Sequence, residues 1–191
     1  MITIVEKAME KFMAHGFSRV TTDEISQELG ISKKTLYKYY ETKDKLVDAV
    51  LDYVMSNLAS IFDAVMARPD LNPVEKMEAF FEIISTYVWR VSPAMMQDLQ
   101  RNRPDLFQRI LAFREHNIRS RLTTLLKEGQ AQGLIRQEID ATLAIDAFLA
   151  VVNTIMVPAY LINSPHSPKT AFTQLHDLFL FGILRKTETH P

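Results

Sequence analysis

The 191 residues include 47% hydrophobic and 24% charged side chains, ordinary proportions for a globular protein, which excludes disorder as a description of the whole chain. Lys plus Arg number 22 against 23 Asp plus Glu, a formal net charge of -1. That excludes a surface basic enough to coat nucleic acid or membrane throughout, while leaving room for a local basic patch. With 0 cysteines, disulfide scaffolds and thiolate zinc sites are excluded as well.

Apolar residues recur at helical spacing from one end to the other. Ile4, Ala8 and Phe12 predict a first helix, stopped by Gly16. Glu6, Lys7, Glu10 and Lys11 interrupt this stretch, so no signal peptide is expected. Thr21 and Glu24 form a capping box for a short helix with Ile25 and Leu29 on its apolar face, ended by Gly30. Ser32 caps a third helix containing Leu36 and Tyr40. Thr42 caps a fourth, with Leu46, Val47, Val50, Leu51 and Val54 on one side. Asn72-Pro73, Ser92-Pro93 and Ser167-Pro168 each place proline in the first turn behind a cap. Pro104 opens a long segment to about Gln132, ended by Gly133, and Asp140 caps an apolar helix reaching about Ile162. The expected fold is all-α with about nine helices, since neither strand alternation nor a hairpin signal is present. Leu143 to Ile162 has the length of a bilayer span. Asp146, Asn153, Thr154 and Pro158 within it favour a buried helix, so no membrane partner is expected.

Residues 21 to 45 carry the chemistry. Two short helices joined by Gly30-Ile31-Ser32 have the proportions of a helix-turn-helix. From Lys33 to Lys45 there are five lysines (33, 34, 38, 43 and 45) against Glu41 and Asp44, a net +3 within a chain of net -1. A basic face on a slightly acidic protein suits a focused phosphate-binding surface. Lysines there would displace counterions and give salt-dependent affinity. The hydroxyls of Ser32, Thr35, Tyr37 and Tyr39 can donate to phosphate oxygens. Lys33, Lys34 and Thr35, at the start of the recognition helix, are placed to read base edges. Lys38 adds to the charge, and Lys43 can hold a flanking phosphate. The alternative is a solvated lysine face, or a helical interaction protein whose basic helix binds a protein or an RNA.

The ordered pattern of Phe12 and Gly16, Thr21-Thr22 with Ile25, Leu29-Gly30-Ile31-Ser32-Lys33, and Thr35-Leu36-Tyr37-Lys38-Tyr39-Tyr40 with Lys43 resembles the N-terminal domain of the TetR family of bacterial transcriptional regulators. The resemblance covers residues 2 to about 51. It implies a helix-turn-helix DNA-binding domain over 1–47 and a helical effector-binding and dimerisation domain over 48–191. It implies a cytoplasmic, homodimeric repressor of palindromic operator DNA, released by a small molecule. Carried over by position, Thr22, Tyr39 and Lys43 resemble phosphate contacts, and Thr35 and Tyr37 occupy recognition-helix positions that touch DNA. Lys34 departs from a frequent small residue, which leaves the base preference open.

The apolar helices 140–162 and 168–185 need cover on more than one side, and the resemblance implies that they pair with their copies in a homodimer. Trp89, Met95, Met96, Phe107 and Phe113 offer bulky, adaptable lining for a pocket, with His116, Asn117, Asn153, Met156 and Tyr160 as further candidates. The expected effector is therefore apolar or amphipathic, although methionine and phenylalanine at this spacing equally fill a core. Arg101, Arg103, Arg109, Arg114, Arg119 and Arg121 are read as a solvated helix face, with an anionic effector as the minor alternative. No catalytic motif is present, and the five histidines lack metal-type spacing, so neither enzyme activity, nor a metal, nor a cofactor is expected.

Overall fold

The computed structural model describes residues 3–155, 160 and 164–184, apart from the side chains of residues 88, 89 and 168. Among the described residues the chain forms nine helices. They are α1 (Ile4–His15), α2 (Thr22–Glu28), α3 (Lys33–Tyr39), α4 (Lys43–Met66), α5 (Pro73–Arg90) and α6 (Pro93–Asn102), then α7, α8 (Ala141–Ile155) and α9 (Pro168–Ile183). The long α7 runs as Pro104–Phe113, a π-helical stretch Arg114–Arg119, and Ser120–Ala131.

The caps explain where helices begin. Thr21 Oγ1 accepts the Glu24 N–H while Glu24 Oε2 accepts the Thr21 N–H at 2.8 Å. A second capping box, Thr3 with Glu6, opens α1. Ser32, Thr42, Ser92, Asp140 and Ser167 each accept a first-turn N–H with a side-chain oxygen, at 2.7–3.1 Å. Each such oxygen satisfies a backbone donor that the helix leaves without a partner, worth about 1 kcal/mol.

The chain divides into two compact units, Met1–Ile61 with Arg90–Ala112, and Phe62–Trp89 with Phe113–Pro191. This differs from a division at residues 47 and 48. α6 and the first part of α7 join the helix-turn-helix because Met95, Met96, Leu99 and Leu106 fill the same core as Ala8, Phe12, Ile25, Leu36 and Leu46. Polar contacts reinforce the docking. The Ser92 N–H donates to Met13 O at 2.8 Å, and the Ser18 N–H to Asp98 Oδ2 at 2.7 Å.

The second unit has an aromatic core. Phe62 and Phe80 stack with ring centres 4.5 Å apart. Phe81, Phe148, Phe172 and Phe179 meet edge-on or tilted, with His176 beside Phe81. The aliphatic part comes from Leu122, Leu125, Leu126 and Ile145. α4 is long and apolar enough to cross a membrane by length and composition. It buries Leu46, Val47 and Val50 and carries Asp48 and Asp52, which pair with Arg103 and Arg109.

Arg103 and the arginines of α7 are not a solvated face, and of the arginine-rich stretch only Arg101 and part of Arg109 stand in water. Arg103 binds Asp48 at 2.6 Å and Asp105 at 2.7 Å, Arg109 binds Asp52, Arg119 binds Asp146 and Glu115, and Arg121 binds Asp63. Four of the partner aspartates come from α4 and α8. Sequence spacing along α7 shows only that its arginines are frequent, not that neighbouring helices bring carboxylates to them.

Candidate nucleic-acid interface

α2 and α3 pack through Ile25 and Leu36, both wholly buried. Between them Gly30 has φ +65°, a conformation that glycine adopts without steric cost. The Ile31 N–H closes the turn on Ser26 O at 3.0 Å. This geometry leaves the outer side of α3 uncovered.

The nine residues expected on this face divide into two groups. One group is engaged in holding the motif together. Thr22 is only 6% exposed, and its hydroxyl lies 3.1 Å from that of Tyr37, so the pair ties α3 to α2. Ser32 and Thr35 hold each other at 2.8 Å while Ser32 caps α3. Lys33 Nζ lies 3.0 Å from Asp23 Oδ2, and this carboxylate pushes the Lys33 ammonium up from its ordinary pKa. Lys43 reaches back, its Nζ donating to Ser18 O at 3.5 Å.

The other group is exposed: Lys34, Lys38 and Tyr39, the last at 69%. No ion pair or hydrogen bond involves these three among the described residues. Ser32, Lys34, Thr35, Tyr37 and Lys38 line one shallow concavity on the α3 face. Lysine stems and a tyrosine ring round a shallow depression can meet phosphate oxygens and base edges together.

A model of the bacterial regulatory proteins of the tetR family matches residues 4–50, from α1 to the first turns of α4. Over those residues the chain is similar to the DNA-binding part of that family. It is 25% identical over 173 residues to the HTH-type transcriptional regulator YvaF of Bacillus subtilis, covering 91% of this chain and 90% of that protein. It is 28% identical over 165 residues to the HTH-type transcriptional regulator NfxB of Pseudomonas aeruginosa, covering 86% and 84%. Its fold matches the crystal structure of the regulatory protein TetR from Rhodobacter sphaeroides with TM-score 0.71 at 18% identity, over 95% of this chain and 97% of that one. A transcriptional regulator of this family is not an enzyme.

Of the ten pocket candidates, Met95, Met96 and Phe107 belong to the first unit and the other seven to the second. Met95 and Met96 are buried in the core of the first unit, and Phe107 packs against it, because the α6 face that carries the methionines docks there. These three act as core. In the second unit Phe113 is half-buried, His116 is exposed, and Asn117 accepts from Arg121. Asn153 accepts from Arg114 at 2.9 Å, and Tyr160 is 43% exposed. Trp89 lies in α5 with its side chain outside the described residues, and Met156 is outside them as well.

Sequence reasoning missed three residues that shape the interface. Asp23 orients Lys33, and it stands ten residues earlier with no helical register linking the two. Asp98 and Asn102, on α6, hold the Ser18 loop, Asn102 Nδ2 donating to Ser18 Oγ at 2.9 Å. A separation of 80 residues leaves no local signal for such a contact.

Proposed function

We propose that the protein is a homodimeric repressor that binds palindromic operator DNA and is released by a small apolar or amphipathic effector. The observation that carries this reading is the exposed basic face of α3, with Lys34, Lys38 and Tyr39 uncommitted. In this reading Lys34, Lys38, Tyr39 and Lys43 contact phosphates, Lys33, Lys34 and Thr35 approach base edges, and Thr22 with Tyr37 and Ser32 fixes the recognition helix. With operator DNA as its partner, the protein in this reading works in the cytoplasm.

The dimer is supported by what α8 and α9 leave uncovered. Leu143 is 67% exposed, and Leu178 and Phe181 are each 75% exposed. Leu178 and Phe181, three residues apart, share one side of α9. Large apolar side chains so exposed on the two helices mark an interaction surface, and a second copy presents the same surface in a two-fold arrangement. Two recognition helices then meet half-sites about one DNA turn apart.

Selection of bound duplexes from a random library at about 0.15 M salt tests the reading. An inverted repeat with half-sites about a turn apart is expected, together with sedimentation at twice the monomer mass. A folded monomer, or a folded dimer that enriches no inverted repeat, overturns it.

The Asp23–Lys33 pair makes a separate expectation. Asp23→Asn frees the Lys33 ammonium and removes a negative charge from the face that meets phosphate. Affinity for duplex should rise, and the slope of log affinity against log salt should steepen by up to about 0.9, the value for one added phosphate contact. An unchanged slope in fluorescence anisotropy titrations would show that Lys33 reaches no phosphate.

A further inference from the structure

Two hydroxyl pairs decide what the recognition helix turns outward. Thr35 lies in the first turn of α3, and its Oγ1 stands 2.8 Å from Ser32 Oγ, the oxygen that also accepts the Thr35 N–H at 3.0 Å. Tyr37 sends its hydroxyl to Thr22 on α2, at 3.1 Å. Both hydroxyls are thus directed into the motif. The Cβ of threonine carries one hydroxyl and one methyl, and a branched Cβ is stiff at χ1. Holding Oγ1 against Ser32 therefore also fixes where the Thr35 methyl stands.

The two residues meet again in the shallow concavity of the α3 face, which Ser32, Lys34, Thr35, Tyr37 and Lys38 line. Its wall is mostly carbon, because lysine stems and a tyrosine ring line it while their polar ends lie elsewhere. The ammonium groups of such stems stay in water at the rim, and the Tyr37 oxygen is turned to Thr22. Thr35 is half-buried and Tyr37 is 36% exposed, so both remain open to a partner. A carbon-walled depression is poorly suited to a phosphate. In the major groove each base edge presents hydrogen-bond donors and acceptors, and thymine adds an apolar group, its C5-methyl.

We propose that Thr35 and Tyr37 form a seat for the C5-methyl group of a pyrimidine, so that one position in each half-site is read by an apolar contact and not by a hydrogen bond. The proposal rests on the DNA-binding reading above and names the base feature that its recognition helix takes. A base edge bonding to Thr35 or Tyr37 competes with Ser32 or Thr22 for the same hydroxyl, and the Thr22 partner is only 6% exposed. Contact with a methyl leaves both pairs intact and avoids the cost of an unmade bond. Thymine and 5-methylcytosine both carry this group in the major groove.

The duplex enriched by selection is resynthesised with each thymine in turn replaced by uracil, which lacks only the methyl. Anisotropy titrations of the full chain at constant salt should find one position per half-site where the exchange weakens binding. The loss should be about fourfold in one half-site and about 15-fold in both, the worth of one buried methyl each. Thr35→Ser keeps the hydroxyl that meets Ser32 and drops the methyl. It should bind thymine and uracil duplexes alike, with an unchanged salt slope, because no phosphate contact is lost. A parallel series replaces each cytosine by 5-methylcytosine. A loss at a thymine that depends on Thr35 assigns the seat to thymine, and a gain at a cytosine that depends on Thr35, with no thymine sensitive, assigns it to methylated cytosine. Binding indifferent to every methyl, or a methyl preference that survives Thr35→Ser, overturns the proposal and leaves the DNA-binding reading standing. A folded protein that enriches no duplex overturns both.

Discussion

Gly16→Ala is expected to lower the free energy of unfolding by about 3 kcal/mol, combining a backbone strain of about 1–3 kcal/mol with a lost charged hydrogen bond. Gly16 has φ 80° and ψ 147°, a region that is essentially reserved for glycine. A Cβ added there would also stand 2.5 Å from Asp98 Oδ2 and 3.2 Å from the Ala94 carbonyl. Asp98 would have to move away, releasing the Ser18 N–H that it holds at 2.7 Å. Gly30→Ala is the matched comparison. Gly30 has φ +65° but open space around it, so only the backbone cost of about 1–2 kcal/mol applies. Urea unfolding of the two variants separates the contributions. If Gly16→Ala costs no more than Gly30→Ala, the Asp98 contact adds nothing to the docking of α6. The consequence extends to DNA, because Ser18 O accepts from Lys43. A loosened loop frees that lysine's position, so operator affinity should fall even where the variant stays folded.

Replacing Lys34, Lys38 and Lys43 together by alanine should reduce duplex affinity about 100-fold at 0.15 M salt and flatten the log–log salt slope by about 3. Each lost phosphate contact removes about 0.9 from the slope. At 0.15 M salt that is roughly 0.7 in log affinity, and three contacts compound. Lys34 and Lys38 are exposed and Lys43 is half-buried, with only a 3.5 Å contact to Ser18 O, so the fold should survive. Anisotropy titrations across a salt series read both quantities. An unchanged slope with the protein folded would remove α3 and the start of α4 from the DNA surface.

The helix-turn-helix was legible because its signals are local. A threonine or serine oxygen reaches an N–H three residues on, and a glycine at a turn accepts positive φ, whatever the rest of the molecule does. Thr21, Ser32, Thr42, Gly30 and Gly133 therefore read directly as boundaries. The lysine excess between Lys33 and Lys45 is equally a property of the sequence. What each side chain does on that face was less legible. Thr22 reads as a phosphate contact, yet its hydroxyl is turned to Tyr37 and nearly buried. Lys33 reads as an exposed base contact, yet it is shared with Asp23.

The pocket candidates show the limit from the other side. Methionine and phenylalanine at helical spacing specify an apolar helix face and not what covers it. α6 presents that face to α1, so Met95 and Met96 fill a core together with Phe12 and Leu46. The arginines of α7 follow the same rule. Their charge is written in the sequence, but a partner on α4 or α8 depends on which helices pack together.

The sequence by itself determined the all-α class, the helix boundaries, the turn at Gly30 and the basic recognition surface, since caps, glycine conformation and charge density act within a few residues. Only the tertiary structure decided that α6 belongs with the DNA-binding unit, that Asp98 holds the Ser18 loop, and that Arg114 alone among the paired arginines of α7 faces an amide instead of a carboxylate. Those outcomes rest on contacts between residues 27 to 80 positions apart, whose energies arise only once the helices have packed.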